Sequence, residues 1–272
     1  MRLWRVTLAA YRRFDAHDGF AMAGFIAYSV FLSLFPFAIF FFSLAGFLIG
    51  PEDSRAVFDA LADLAPEHIA KTLLPVLDEV IGRSRGGLLT IAGLGAIYVA
   101  SNAVEALRVG LDRAYEAPAS RGFLFRRAVA LGFVLLAAVT FTALGFVIIL
   151  APLALRLAEA WTGFTPPGGI GPVRYLIGVG GFALFLSVVY RWLPSRAPRW
   201  KAILPGAIIA TLLWIAGASG FSFYLAFAPD YAVTYGAFAG VIVTLLFFYL
   251  TGAVVIFGAE VNAAMAAPEE ET

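Results

Sequence analysis

Between Ala232 and Ala259 the chain carries no charged residue for 28 positions. That run is far too long for a buried strand, and about 20 apolar residues already cross a bilayer core as a helix. Five more charge-free windows precede it: Phe20–Gly50, Gly86–Val104, Ala128–Leu155, Tyr175–Tyr190 and Ala202–Pro229. In hydrocarbon only a helix or a closed barrel satisfies every backbone group. A barrel needs alternating polarity, and the stretch PFAIFFFSLAGFLIG does not alternate. The sequence therefore predicts an all-α, polytopic membrane protein with six transmembrane helices, forming one membrane domain over residues 1–272. The fourth window is short, but Arg174 and Arg191 bound it, and their stems can snorkel to extend the span. The fifth and sixth windows meet at Ala228, Pro229 and Asp230, which predicts a tight antiparallel hairpin.

Composition removes several classes of function. A hydrophobic fraction of 61% with 14% charged residues lies outside the soluble range. A net charge of +1 argues against nucleic acid as a partner, because phosphate binding needs concentrated basic surface. With no cysteine there is no disulfide, thiolate-held zinc, iron–sulfur cluster or cysteine nucleophile. No cofactor is implied. The first apolar run begins at Phe20 and is too long for the apolar core of a cleavable signal peptide.

Orientation follows from the basic residues in the connections. Thirteen of the 19 fall on one side: Arg2, Arg5, Arg12 and Arg13; Arg108, Arg113, Arg121, Arg126 and Arg127; and Arg191, Arg196, Arg199 and Lys201. Both termini are expected in the cytoplasm, including the acidic tail at 267–272. Residues 51–85, with Val57, Phe58 and Leu61 and then Ile69, Leu73, Val76 and Val80 at helical spacing, are expected to form a short amphipathic cap on the other side. A solvated loop is the plainer reading of the same stretch. Residues 1–17, with Leu3, Trp4, Leu8, Tyr11 and Phe14 on one side and arginines elsewhere, suit an interfacial helix on an anionic leaflet. Asp18 is expected to cap the helix that follows.

Polar groups inside a membrane are functional candidates by default. Ser29 and Ser33, four apart, share a helix face, and Pro36 leaves the carbonyl of Leu32 without its usual partner. Together they could line a pathway; alternatively the serines bond back to their own helix. Asn102, Glu105, Arg108 and Asp112 are spaced +3, +3 and +4, so they form one polar stripe in which Arg108 can pair with Glu105 or Asp112. The stripe reads as the wall of a cytoplasmic vestibule or as an ion-paired helix end. Glu260 and Asn262 close the last helix. Glu260 is expected to form a salt bridge to Arg108 or the basic fourth connection, with a coupling carboxylate as the alternative role. Small residues at Gly46/Gly50, Gly178/Gly181, Gly206/Ala210 and Gly236/Gly240 are read as packing points between helices.

The segments DGFAMAGFIAYSVFLSLFPFAIF (18–40), VEALRVGLDRAYEAPASRGFLFRRAVAL (104–131), RWLPSRAPRWKAILPGAIIATLLW (191–214) and YAVTYGAFAGVIVTLLFFYLTGAVVIFGAEVNAA (231–264), in this order, resemble the YihY/BrkB family of bacterial inner-membrane proteins. The resemblance implies six membrane helices in the plasma membrane. The family carries a virulence-factor name and a ribonuclease BN label that is generally regarded as mistaken. The residues also speak against a nuclease. Metal-dependent RNA hydrolysis needs clustered His and carboxylate ligands, and the two histidines, His17 and His68, are expected on opposite sides of the membrane. No nucleophile–base pair suggests another enzyme. Two classes of function remain. One is a transporter, exporter or flippase-like protein for a small or amphipathic solute; the other is a non-transporting scaffold or envelope-assembly partner acting through residues 51–85. Membrane lipids are partners of either.

Overall fold

In a computed structural model of the chain, residues 2–49, 86–118, 122–145, 171–196, 198–227 and 238–267 are described. They form seven helices: α1 Arg2–Ala16, α2 Gly19–Ile49, α3 Gly86–Ala114, α4 Phe123–Gly145, α5 Gly171–Trp192, α6 Trp200–Ala226 and α7 Ala239–Ala266. There is no strand among the described residues. The all-helical reading therefore stands. The cap at 51–85, the hairpin turn at 228–230 and the acidic tail from 268 lie outside the described residues.

Four helices are long and apolar enough to cross a membrane among the described residues: α4, α5, α6 and α7, with a fifth if α1 and the described part of α2 count as one bent span. Proline occurs inside α2 at Pro36 and inside α6 at Pro205. In hydrocarbon, such prolines are tolerated where neighbouring groups satisfy the freed backbone.

The chain divides into two compact units. One comprises Met1–Phe20, Arg108–Ile215 and Val254–Thr272; the other comprises Ala21–Leu107 and Ala216–Ala253. In the second unit α2, α6 and α7 approach at glycines. A Cβ on Gly252 would lie 3.2 Å from the carbonyl oxygen of Ala23, and one on Gly217 would lie 3.1 Å from Leu250. The rings of Phe221 and Phe247 tilt against each other at 6.1 Å.

In the first unit α4 packs on α5, with Phe141 against Phe185 at 5.3 Å and Leu144 filling the notch at Gly181. The same unit gathers α1, the end of α3, the connection after α5, the first half of α6 and the end of α7. There α1 presents Val6, Ala9 and Ala10 to Val261, Ala264 and Phe257 of α7 and to Ile209 of α6. Phe14 is buried, with its ring 6.1 Å from Phe257 and 4.9 Å from Phe20. The expected apolar side of this helix is thus only half of its story. Trp4, Leu8 and Tyr11 remain exposed, while a second face of small residues docks on α7.

Two helix ends in this unit depart from sequence expectation. Asp18 takes a left-handed backbone, φ 56°, and its N–H donates to the carbonyl of Asp15. It closes α1 instead of opening α2, because an N-cap needs an extended backbone whereas aspartate tolerates the left-handed region. Gly19 beside it leaves room for Phe14, whose ring would lie about where a Cβ must go. At the end of α3, Glu116 is left-handed as well (φ 49°), and the N–H of Ala117 reaches back to the carbonyl of Asp112 at 2.8 Å. This five-residue return is the closure of a Schellman turn.

Candidate functional site

At these two turns His17 and Tyr115 reach the last turns of α7. That part of α7 is buried all round: Ala259, Glu260, Val261 and Asn262 are each at most 2% exposed. A helix enclosed on every side needs a partner for each polar group it carries. Glu260 and Asn262 are two residues apart, so they leave the helix on different faces and find different partners.

Glu260 meets two side chains about one helical turn apart, Arg13 of α1 and His17 just past its end. Arg13 Nε donates to Oε2 at 3.2 Å, and His17 Nδ1 is hydrogen-bonded to Oε1 at 2.7 Å. Arg13 spreads its remaining N–H groups. Nη2 donates to the carbonyl of Ala114 at 3.1 Å, at the end of α3, and lies 2.9 Å from Glu116 Oε1. His17 Nε2 is 3.9 Å from the same Glu116 oxygen. One arginine thus ties α1, α3 and α7 together, and one buried carboxylate receives it. The expected partner of Glu260 was Arg108 or the basic fourth connection; the salt bridge runs instead to Arg13 of α1, with His17, just past that helix, hydrogen-bonded to the other carboxylate oxygen. The signal was present in the sequence, since Val6, Ala10, Arg13 and His17 follow one another at +4, +3 and +4 along a single face.

Asn262 points to α6. Its Oδ1 accepts the backbone N–H of Gly206 at 2.7 Å, and its Nδ2 donates to the hydroxyl of Tyr115 at 3.1 Å. Gly206 follows Pro205, so the amide side chain meets the backbone beside a residue that has no N–H of its own to donate. The crossing is tight. A Cβ on Gly206 would collide with the carbonyl oxygen of Gly258, and one on Gly258 would sit 2.7 Å from Ala210 Cβ. Gly206 and Ala210 therefore act as the packing point read from the sequence. Beside them, the buried Tyr190 donates its hydroxyl to the carbonyl of Val255 at 2.7 Å. Burial holds the Tyr115 phenol above its ordinary range; the bond from Asn262 opposes this and the charge of Glu260 adds to it. Tyr115 therefore stays a neutral phenol at physiological pH.

The stripe on α3 divides between the two units. Arg108 and Asp112 lie in the first unit, Asn102 and Glu105 in the second. Arg108 is buried, and its Nη1 contacts Asp112 Oδ2 and lies 3.4 Å from Ser195 Oγ. Asp112 also receives Ser195 twice: the backbone N–H at 2.6 Å and the hydroxyl at 2.8 Å. This half of the stripe latches the connection after α5 to α3. Asn102 is exposed and Glu105 half-buried. In the second unit Ser29 donates to the carbonyl of Phe25 at 2.8 Å and Ser33 to that of Val30 at 2.6 Å, both within α2. Among the described residues, no three His, Asp or Glu side chains come together as metal ligands.

Comparison with known proteins places the chain. Residues 10–272 match the family described as virulence factor BrkB. The protein belongs to this family. It is 30% identical over 266 residues to the putative ribonuclease-like protein YfkH of Bacillus subtilis, covering 93% of this chain and 92% of that one. It is 26% identical to a UPF0761 membrane protein of Ralstonia nicotianae, over 90% of this chain but 55% of the longer relative. A UPF0761 membrane protein of Pseudoalteromonas translucida is likewise 26% identical, over 89% of this chain and 79% of its own length. No solved structure matches. The BrkB family member described here is a multi-pass bacterial membrane protein.

Proposed function

We propose that this BrkB family member is a transporter, exporter or flippase-like protein for a small or amphipathic solute, and that Glu260 is its coupling carboxylate. The observation behind this reading is the fully buried Glu260 held by Arg13 and His17. Ionisable groups at membrane depth are costly and are a recurring component of proton relays. Here one acid and one histidine join helices from opposite ends of the chain, 243 residues apart. A proton added to Glu260, or a solute anion competing for Arg13, would loosen α1 from α7. Such a contact has two states that a solute or a proton can bias. Ser29, Ser33, Pro36, Asn102, Glu105, Arg108 and Asp112 were expected to line the pathway. In this reading Arg108 and Asp112 instead brace the Ser195 connection.

The test uses a fluorescent phospholipid as the amphipathic probe. Vesicles containing the purified protein are treated with a membrane-impermeant quencher. The expected result is loss of fluorescence beyond that of protein-free vesicles, abolished by Glu260→Gln. Wild-type vesicles that behave as protein-free ones, for both a fluorescent phospholipid and a lysophospholipid, would overturn the reading for amphipathic solutes.

A second reading is a non-transporting scaffold or envelope-assembly partner acting through residues 51–85. It draws on the Arg108–Asp112–Ser195 latch, whose groups are engaged with one another. If so, deleting residues 51–85 would abolish function while Glu260→Gln would spare it. In this reading His17 serves the Glu260 network, and the ribonuclease-like name of the Bacillus subtilis relative stays with that protein.

A further inference from the structure

Of the four long spans, α4 is the least enclosed. Only 6% of its apolar window is buried within the protein, against 22–28% for α5, α6 and α7. Its outer surface is not flat. Phe125, Val129, Gly132, Phe133 and Leu136 of α4, with Trp192 at the end of α5, line an open groove of about 440 Å³. That volume lies in the range of small-molecule sites, roughly 300–1,000 Å³. The five α4 residues follow one another at +4, +3, +1 and +3, so the groove runs along one helix face. At Gly132 it is open space, since an added Cβ would meet nothing within 4 Å.

One end of the groove differs from the other. Phe125 adjoins Arg126 and Arg127, and Trp192 adjoins Arg191. The Trp192 ring meets Trp200 edge-on at 5.8 Å, and the Arg191 guanidinium lies 6.0 Å from the Trp200 ring. Arg199 and Lys201 flank Trp200. The Nε–H of Arg191 is buried and has no hydrogen-bond acceptor among the described residues. An apolar trough in a membrane-spanning face thus ends at Trp192, beyond which stand the Trp200 ring and the Arg191 guanidinium against it. Tryptophan belongs at the headgroup level, and basic pockets between helices on that side recognise anionic headgroups.

We propose that the α4–Trp192 groove is a binding site for an anionic phospholipid, with one acyl chain along Phe125–Leu136 and the headgroup phosphate at Arg191. The occupant lies in the leaflet facing the basic connections. The site does not rest on the transport reading, since a lipid can be held here without being moved.

The test is competitive lipid retention. Delipidated protein in detergent is offered equal amounts of phosphatidylglycerol and phosphatidylcholine, repurified, and its lipid is identified by mass spectrometry. Wild type is expected to retain phosphatidylglycerol several-fold over phosphatidylcholine. Gly132→Leu, which fills open space, is expected to lose several-fold of both lipids; Gly132→Val serves if the leucine variant does not accumulate. Arg191→Gln is expected to keep bound lipid and lose the preference for phosphatidylglycerol. Retention of the two lipids in the supplied ratio by wild type would overturn the site. So would unchanged retention by the filled-groove variant, or a change in its oligomeric state, which would make the groove a contact between copies.

Discussion

The hydroxyls of α2 and the last turns of α7 solve the same problem in opposite ways. Ser29 and Ser33 sit in an apolar helix and donate to carbonyls three or four residues back. Ser187, Thr211, Thr244 and Thr251 do the same in α5, α6 and α7. Such a bond satisfies the group without involving another helix, so it says nothing about how helices meet. Glu260 and Asn262 cannot bond back in this way, and their partners lie on α1, the turn after α3, and α6. The short polar side chains are therefore locally silent, and the carboxylate and amide carry the tertiary information.

Breaking the long-range ties should separate the two regions most sharply. Glu260→Ala removes the buried acceptor shared by Arg13 and His17, which keep Glu116 nearby, so the cost falls at the low end for a broken buried pair, about 3 kcal/mol. The expected outcome is a large fall in the thermal midpoint of the purified protein. A fall no greater than that of a surface substitution would erase the distinction. Asp112→Ala removes the acceptor of the Ser195 N–H and hydroxyl and one partner of the buried Arg108, at about 2 kcal/mol. Limited proteolysis would report this as faster cleavage in the 193–196 connection, and an unchanged rate would show that the latch is not what holds it. Smallest of all, Ser29→Ala and Ser33→Ala should each move stability by no more than about 0.5 kcal/mol. A larger loss in either would mean that the α2 face has partners beyond its own helix.

Much of the fold was legible because hydrocarbon leaves few choices. Long charge-free runs must be helices, and α2 through α7 fall where those runs were read. Glu260, Asn262, Arg108 and Asp112 were legible as candidates because charge and amide groups stand out against an apolar background. Their partners were not. The pairing of Glu260 with α1 spans almost the whole chain, and the docking face of α1 is made of alanines, which carry little hydropathy signal. The large side chains Trp4, Leu8 and Tyr11 drew the reading to the opposite side. Likewise, a proline before Gly206 marks a missing backbone donor in α6 but does not say that Asn262 takes the next N–H. The groove on α4 was invisible for a different reason. Its residues are the ordinary apolar ones of any span, and only Gly132 facing open space makes a trough of them.

The central claim is that the end of α7 ties α1 into this unit through Arg13 and Glu260. A double-mutant cycle measures it most directly, using Arg13→Gln, Glu260→Gln and the pair, with unfolding in detergent as the readout. The account expects strong coupling, between about 0.5 and 3 kcal/mol as for residues in one charged network. The double variant should then be less destabilised than the sum of the singles. Strict additivity would contradict it, and would leave Glu260 as a buried group that α1 merely covers.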